Sequence, residues 1–356
     1  MTERYQNLAL TLRPQQFKNF IYNDHIVTIL KNIVTSGKIP AGLLFSGSRG
    51  LGKTTLSRLF ARAINCNSRK TAEPCGKCES CQLSMAQRHP DILEISGSTN
   101  GNIEDIRRII EQAMLTPAIG NYKVFIIDEA QGLGRSTASW NSLLKILEEP
   151  PPHVVWLFCT TEKVKIPETI KSRLITLDLK LIPTPIIENY LKKLLADVKG
   201  ESVAPVVARV ACNSMRDALT LLEKVILYCK TPKIGFTEAN ALIALGAFDE
   251  TKTACILDAI NRHDCKDLWC ILEGLVDSGV DFDTLYNDAL VAGVTNLMGV
   301  MLGAQVDRGD LYQPFVQMGS PRILYLSDVL ARRSKQFHEA ENKKFVLRLI
   351  ALELCA

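Results

Sequence analysis

Two stretches of this sequence carry residue types at the spacings that phosphate and metal chemistry require. The first is Gly47-Ser48-Arg49-Gly50-Leu51-Gly52-Lys53-Thr54, which meets the pattern G-x-x-x-x-G-K-[ST] at every defined position. Glycines there let backbone N–H groups turn inward around phosphates, and a helix opening at the end of the loop adds partial positive charge. Lys53 can reach the β- and γ-phosphates of a nucleoside triphosphate, and the Thr54 hydroxyl can hold Mg²⁺, with Thr55 beside it. The rival reading is a chance glycine-rich turn. The context argues against it, because an apolar strand precedes the loop and a helix follows. Further along, Ile126-Ile127-Asp128-Glu129 sets two carboxylates at the end of an apolar strand. Asp128 is placed for the Mg²⁺ shell and Glu129 to orient or deprotonate an attacking water. Such a pair is weak alone and gains meaning from the phosphate loop before it. Thr160-Thr161 can report the γ-phosphate, although two threonines finishing a strand are equally ordinary.

The second stretch is Cys66 followed by Cys75-Gly76-Lys77-Cys78-Glu79-Ser80-Cys81, two overlapping C-x-x-C pairs with an outlying cysteine. Four thiolates so close can close a tetrahedral Zn²⁺ shell, and such a shell leaves no open position for catalysis. An iron–sulfur cluster would accept the same donors but has no evident role beside a nucleotide pocket. Disulfides contradict the reducing compartment implied by the absence of a signal sequence at Met1–Tyr5. Cysteines outside the cluster, such as Cys212, Cys229 and Cys270, lie in helical apolar patterns and read as small buried hydrophobes.

These groups need a scaffold, and the pattern around them supplies one. Helical spacing of Ile26, Ile29, Leu30 and Ile33 predicts a first helix, stopped by Gly37 and Pro40. Strands are expected at Leu43–Ser46, Ile92–Ile95, Val124–Ile127 and Val154–Phe158, with helices at Leu56–Asn65, from an Asn102 cap onward, and at Thr137–Leu147. Continuous apolar strands alternating with helices belong in a parallel sheet covered on both faces. After Arg173 the strand character fades, and Ile186–Leu195, Pro205–Ala211 and Met215–Tyr228 read as a small helical domain. A turn-rich break at Thr231–Gly235 precedes a helical remainder.

The bulk numbers allow this. The 356 residues, 47% hydrophobic and 22% charged, suffice for several folded cores. A net charge of +4 does not by itself announce a nucleic-acid binder, so a polyanion would have to meet a local patch. No stretch approaches the length of a membrane span, and a cytoplasmic protein is expected.

Taken in order, Arg13-Pro14-Gln15-Gln16-Phe17, the phosphate loop, the cysteine cluster, Asp128-Glu129-Ala130-Gln131 and Leu143–Pro151 resemble the gamma/tau subunit family of the bacterial DNA polymerase III clamp loader, AAA+ ATPases. Ser172-Arg173 and Ser214–Leu219 complete the resemblance, which is dense over residues 1–245. It implies an α/β fold: an AAA+ ATPase domain over 1–178 with a zinc module at 66–81, a helical lid over 179–235 and a helical collar over 236–356. It implies that Arg13 and Pro14 join the loop in binding ATP, and that Thr161 is a first sensor. Arg216 would be a second sensor in the same subunit, and Arg173 would reach nucleotide held by a neighbour. Without the family, both arginines would read as ordinary solvated residues. It further implies other clamp-loader subunits in a pentamer, a sliding clamp, and primer–template DNA held by phosphate contacts. Helix starts near Asn102 and Ser136, with Arg135, are candidates for those contacts. The sequence departs from the family at Leu174, Gln131 and Asn213, where Cys, His and Gly are usual, which suggests a divergent member such as a viral one. The chain stops at residue 356, short of a long tau-type extension. A different AAA+ DNA motor, of branch-migration or initiator type, is the alternative.

Overall fold

The computed structural model describes residues 7–99, 102–135, 137–230, 234–249, 251–304, 306 and 308–356, apart from the side chains of 134, 135, 137 and 138. The chain divides into two units, one up to Thr237 and one from Glu238. In the first unit, α1 (Leu8–Thr11) and α2 (Asp24–Ser36) precede β1 (Gly42–Ser46), α3 (Lys53–Ile64) and α4 (Glu79–Met85). Then come β2 (Ile92–Ser96), α5 (Ile103–Ala113), β3 (Lys123–Asp128), α6 (Thr137–Glu148), β4 (Val154–Thr160), α7 (Glu168–Lys171) and β5 (Ile175–Asp178). Helices α8 (Thr184–Leu195), α9 (Ala204–Val210) and α10 (Met215–Cys229) complete it.

All five strands run parallel, in the order β2-β3-β4-β1-β5. The apolar runs of β1, β3 and β4 are continuous because both faces are covered. Leu44, Phe125, Ile127, Trp156 and Phe158 pack with Ile106, Ile109, Leu143 and Ile146 of α5 and α6. Leu43, Phe45, Val124 and Ile126 alternate to the other face and are fully buried, with α3 packed against β1, β3 and β4. The parallel order puts the ends of β1, β3 and β4, and so Gly47, Asp128 and Thr160, along one rim of the sheet, where open α/β sheets bind ligands.

Three expectations are corrected. The strand pattern does not end at Arg173, since Ile175–Asp178 adds a fifth strand beside β1. It is a short edge strand with a mostly exposed face, so its sequence lacks the apolar run that marks the others. The buried face of α2 is Ile26, Val27, Leu30 and Val34, while Ile29 is exposed. Of the cysteines outside the cluster, Cys229 is buried as expected, but Cys212 and Cys270 are exposed. Cys212 sits at φ +46° in the turn before α10, where no core is available to it.

A buried polar chain fixes the segment between α3 and β2. Asn65 brackets Tyr122, its amide donating to the carbonyl at 2.8 Å and its oxygen accepting the N–H at 2.8 Å. Burial holds His89 below its ordinary range, so the ring is neutral. Its Nδ1 accepts the Asp91 N–H at 3.0 Å, which puts the ring proton on Nε2, facing Ser80 Oγ at 3.0 Å. Ser80 then donates to the Asn65 carbonyl at 2.6 Å. Burial alone would raise the Asp91 carboxyl, but N–H donors from Gly120, Ile119 and Ala118, at 2.7 to 2.9 Å, hold it below its ordinary value.

The second unit is helical throughout its described residues: α11 (Glu238–Leu245), α12 (Thr251–Asn261), α13 (Cys265–Asp277) and α14 (Phe282–Thr284) lead into a π-helical turn at Leu285–Val291. Helices α15 (Ala292–Met301), α16 (Ser320–Glu339) and α17 (Lys343–Cys355) follow. Its core centres on Tyr286, stacked on Phe337 at 4.3 Å and donating its hydroxyl to the Leu330 carbonyl at 2.6 Å. Among the described residues no helix is long and apolar enough to cross a membrane.

Asp91 gives a direct test of the polar chain. Its folded carboxyl binds a proton less tightly than the unfolded one, so it stabilises the fold above the unfolded value of about 3.8, and this is lost as pH falls below that value. Replacing Asp91 by Asn should cost about 2 kcal/mol in urea unfolding at neutral pH and flatten the acid limb of the stability profile. Equal stability of the two proteins at neutral pH would remove the carboxylate from this role.

Candidate functional site

The rim of the sheet carries a cavity of about 950 Å³. Ser48–Thr55 form one wall, Asp128, Glu129, Cys159, Thr160 and Thr161 the floor, and Arg13, Pro14 and Phe20 a strap from the N-terminal side. Ile182, Tyr190, Met215, Arg216 and Leu219 close it from the helices after the sheet. The structure thus gathers Arg13, Pro14, the loop, both carboxylates, Thr161 and Arg216 at one place. Gly47 is not among the lining residues; its carbonyl accepts from Lys53.

Backbone geometry explains the glycines. Gly47, Gly50 and Gly52 all have positive φ, at +140°, +80° and +94°. Space is also short: a Cβ on Gly50 would stand 1.8 Å from Ser214 Oγ, and one on Gly52 2.7 Å from the Phe20 ring. The loop is therefore in contact with both the strap and the start of α10. Ser214 caps α10, accepting the Asp217 N–H, and so fixes the first turn from which Arg216 projects.

Lys53 begins α3 and folds back over the loop, donating to the Gly47 and Ser48 carbonyls at 2.7 Å each. Thr54 Oγ1 donates to Asp128 Oδ2 at 3.0 Å, so the hydroxyl and carboxylate expected to share a Mg²⁺ shell already touch. Glu129 follows at φ +50°, its N–H on Asp128 Oδ1 at 3.0 Å, which turns its side chain out toward the cavity. Burial lowers Lys53 from its ordinary value, and Arg13 is lowered by burial and then by the nearby Arg58 and Arg216 guanidinium groups. Cations crowded and partly desolvated around one cavity gain most from a polyanion.

Gln131 was noted in the sequence only as a departure from the family pattern. Here its Oε1 accepts from Thr160 Oγ1 at 2.8 Å and its Nε2 donates to Thr161 Oγ1 at 3.2 Å. It ties the loop after β3 to the end of β4. A polar residue shortly after the Asp-Glu pair was the available signal. Cys159, in the floor of the cavity, is buried and pushed up to about 12 by desolvation, which makes it an inert packing group.

Arg173 lies outside this cavity. It sits between α7 and β5, with Nη2 on Glu148 Oε1 at 2.5 Å and Nη1 on the Thr169 carbonyl at 2.6 Å, partly exposed. Asn102 caps α5 through its side chain, accepting the Asp105 N–H. Ser136 and the side chain of Arg135 lie outside the described residues.

The cysteines come together at the end of α3 and the start of α4. The four sulfurs of Cys66, Cys75, Cys78 and Cys81 lie within 4.8 Å of one another, with Cys66–Cys78 and Cys75–Cys81 both at 3.9 Å. Metal–sulfur bonds of about 2.3 Å in a tetrahedron place neighbouring sulfurs about 3.8 Å apart. Backbone N–H groups of Lys77 and Cys78 donate to Cys75 Sγ and draw that thiol down to about 6, toward the thiolate a metal binds. Gly76, at φ +70°, makes the turn between them.

A five-stranded parallel sheet with a phosphate loop after β1 and an acidic pair after β3 defines a nucleotide-binding fold of the AAA+ kind. A RuvB variant from Thermotoga maritima shares it with a TM-score of 0.50 and 20% identity, over 77% of this chain and 88% of that one. Residues 22–183 match the family described as DNA polymerase III, delta subunit. The DNA polymerase III subunit gamma of Buchnera aphidicola (Schizaphis graminum) is 35% identical over 286 residues, covering 79% of this chain and 77% of that protein. The subunit tau/gamma of Haemophilus influenzae is 31% identical over 99% of this chain and 51% of its own length. The subunit tau of Escherichia coli K12 is 34% identical over 80% of this chain and 44% of its own. The chain belongs to the DNA polymerase III gamma/tau family. It spans about half the length of the tau relatives it matches.

Gly50 offers a sharp check on the loop geometry. Gly50→Ala should weaken nucleotide binding at least about tenfold, because both the +80° φ and the 1.8 Å approach to Ser214 forbid a side chain. A fluorescent-nucleotide titration reads this directly, and unchanged affinity would mean that the loop and α10 are not in register as described.

Proposed function

We propose that this chain is an ATP-hydrolysing motor subunit of a clamp loader, which opens a sliding clamp and loads it onto primer–template DNA. The observation that carries the reading is the pre-assembled Thr54–Asp128 pair inside a cavity lined by Arg13, Lys53, Glu129 and Arg216, with Arg173 directed elsewhere. The family membership supports the assignment to a replicative loader.

In this reading Lys53, the loop N–H groups, Arg13 and Arg216 bind the triphosphate. Thr54 and Asp128 would hold Mg²⁺, which would supply positive charge to neutralise the triphosphate. Glu129 orients the attacking water and takes its proton. Thr161, coupled to Thr160 through Gln131, contacts the γ-phosphate and relays its presence to β4. Arg173 reaches across an interface to nucleotide on the next subunit, so that turnover requires assembly. Cys66, Cys75, Cys78 and Cys81 hold a structural Zn²⁺ with no position open for chemistry.

Residues 1–178 would act as the ATPase domain, 179–235 as a lid and 236–356 as the collar that joins subunits, in a cytoplasmic pentamer. DNA would be gripped through its phosphates, without sequence preference and with strong salt dependence.

ATP turnover of the assembled complex, measured with and without primer–template DNA and clamp, tests the reading. Both together should stimulate hydrolysis; stimulation by DNA with no effect of clamp would favour a branch-migration or initiator motor instead. Arg173→Ala should lower stimulated turnover by about 10³-fold while nucleotide still binds. Loss of binding in that variant would overturn the role across the interface.

A further inference from the structure

The cysteine module faces the nucleotide strap, and the contacts between them are specific. Between Cys66 and Cys75 the chain carries Glu73, whose carboxylate is directed back at the N-terminal segment. One oxygen accepts the Phe17 N–H at 2.7 Å and the other the Lys18 N–H at 3.0 Å, while the Lys31 ammonium lies 3.0 Å away. A carboxylate that spans two successive amides fixes the turn at Phe17–Asn19. Phe17 itself is buried to 1% exposure.

A second link runs through Arg62 of α3. Its Nη1 donates to the Gln15 carbonyl at 3.3 Å and to Gln15 Oε1 at 2.7 Å, and its Nε to Ser84 Oγ on α4 at 3.3 Å. Arg62 is buried and Ser84 is on the helix that begins just before Cys81. Strap residues 17 and 18 are thus held from the cysteine loop, and residue 15 by Arg62 of α3, which also touches the module's helix through Ser84. The residues flanking them, Arg13, Pro14 and Phe20, line the nucleotide cavity, and Phe20 packs on the Gly52 position.

We infer that the cysteine module is a positioning device for nucleotide binding: the metal-held loop fixes Glu73, and Glu73 fixes the strap that carries Arg13 and Phe20 into the cavity. This rests on the zinc and nucleotide readings above. The loop that presents Glu73 is bounded by two cysteines of the cluster, Cys66 and Cys75, so without metal its ends are no longer clamped together and the Phe17 and Lys18 donors lose a fixed partner. The cost of ordering the strap is then met when nucleotide binds, and affinity falls. Reciprocity requires that bound nucleotide also strengthen metal retention.

The test uses the full chain, zinc-loaded, with metal content measured, mant-ADP affinity by anisotropy, and amide exchange over residues 13–20 by mass spectrometry. Wild-type protein with no zinc would overturn the zinc reading, and wild-type protein that ignores mant-ADP would overturn the nucleotide reading, before any substitution is made. Glu73→Ala should keep its zinc, bind mant-ADP about tenfold more weakly and exchange faster at 13–20, while residues 42–64 stay protected. Glu73→Gln, which keeps one acceptor, should fall between. Chelating zinc from the wild type should reproduce the loss, and chelating it from Glu73→Ala should add little. Zinc-loaded Glu73→Ala with wild-type affinity, or equal losses on chelation in both proteins, overturns the inference. If Glu73→Ala misfolds or sheds metal, Glu73→Gln decides: it should keep zinc while weakening mant-ADP binding and loosening 13–20, and no change in either overturns the proposal.

Discussion

Away from its cavity face the phosphate loop is packed tightly at its three glycines, and much of the first unit is arranged by that crowding. Gly47, Gly50 and Gly52 adopt backbone conformations that a side chain would resist, and each also presses on a different piece of the chain. Gly47 meets Leu179 just after β5, Gly50 meets Ser214 at the start of α10, and Gly52 meets Phe20 of the strap. A loop that must present N–H groups to phosphates can tolerate such neighbours only by having no Cβ. The consequence is that strap, sheet and α10 share one contact point, and none can shift without being felt at the loop.

Cations then follow from position. Lys53 is carried by the first turn of α3, Arg216 by the capped first turn of α10, and Arg13 by the strap. Burial lowers Lys53 from its ordinary value, and burial followed by the Arg58 and Arg216 guanidinium groups lowers Arg13, a state that an anionic ligand relieves. The strap is tied at both ends, by Glu73 and Arg62 on one side and by Glu223 of α10, which accepts the Leu8 N–H at 3.2 Å, on the other.

How legible this was depended on whether a residue acts locally or through a distant partner. The phosphate loop, the Asp128–Glu129 pair and the cysteine cluster are contiguous and type-restricted, so spacing alone exposed them. Arg13, Arg173 and Arg216 carry no local signature, and only the resemblance singled them out. The role of Gln131, and Glu73, Arg62 and Asp91 altogether, escaped, because their partners are tens of residues away and each looks like a surface polar residue in sequence. Strands β1, β3 and β4 were legible from their apolar runs and the edge strand β2 from Ile92, Leu93 and Ile95, whereas β5, the other edge strand, offers only Ile175 and Leu177 alternating with polar residues. Cys212 and Cys270 misled in the opposite direction, having apolar neighbours in sequence but solvent in space.

The edge strand has one more implication. Arg173 lies two residues before β5, and β5 is laddered to β1 from Leu43↔Ile175 to Ser46↔Asp178, immediately ahead of the phosphate loop. Asp178 is further anchored to Ser46 and to Lys163, which follows the Thr160–Thr161 corner. The outward arginine and the inward phosphate loop are therefore mounted on two adjacent rungs of the same sheet. On the role proposed for Arg173, a ring of such subunits would be wired in series, each site reading its neighbour's occupancy through a single strand pairing.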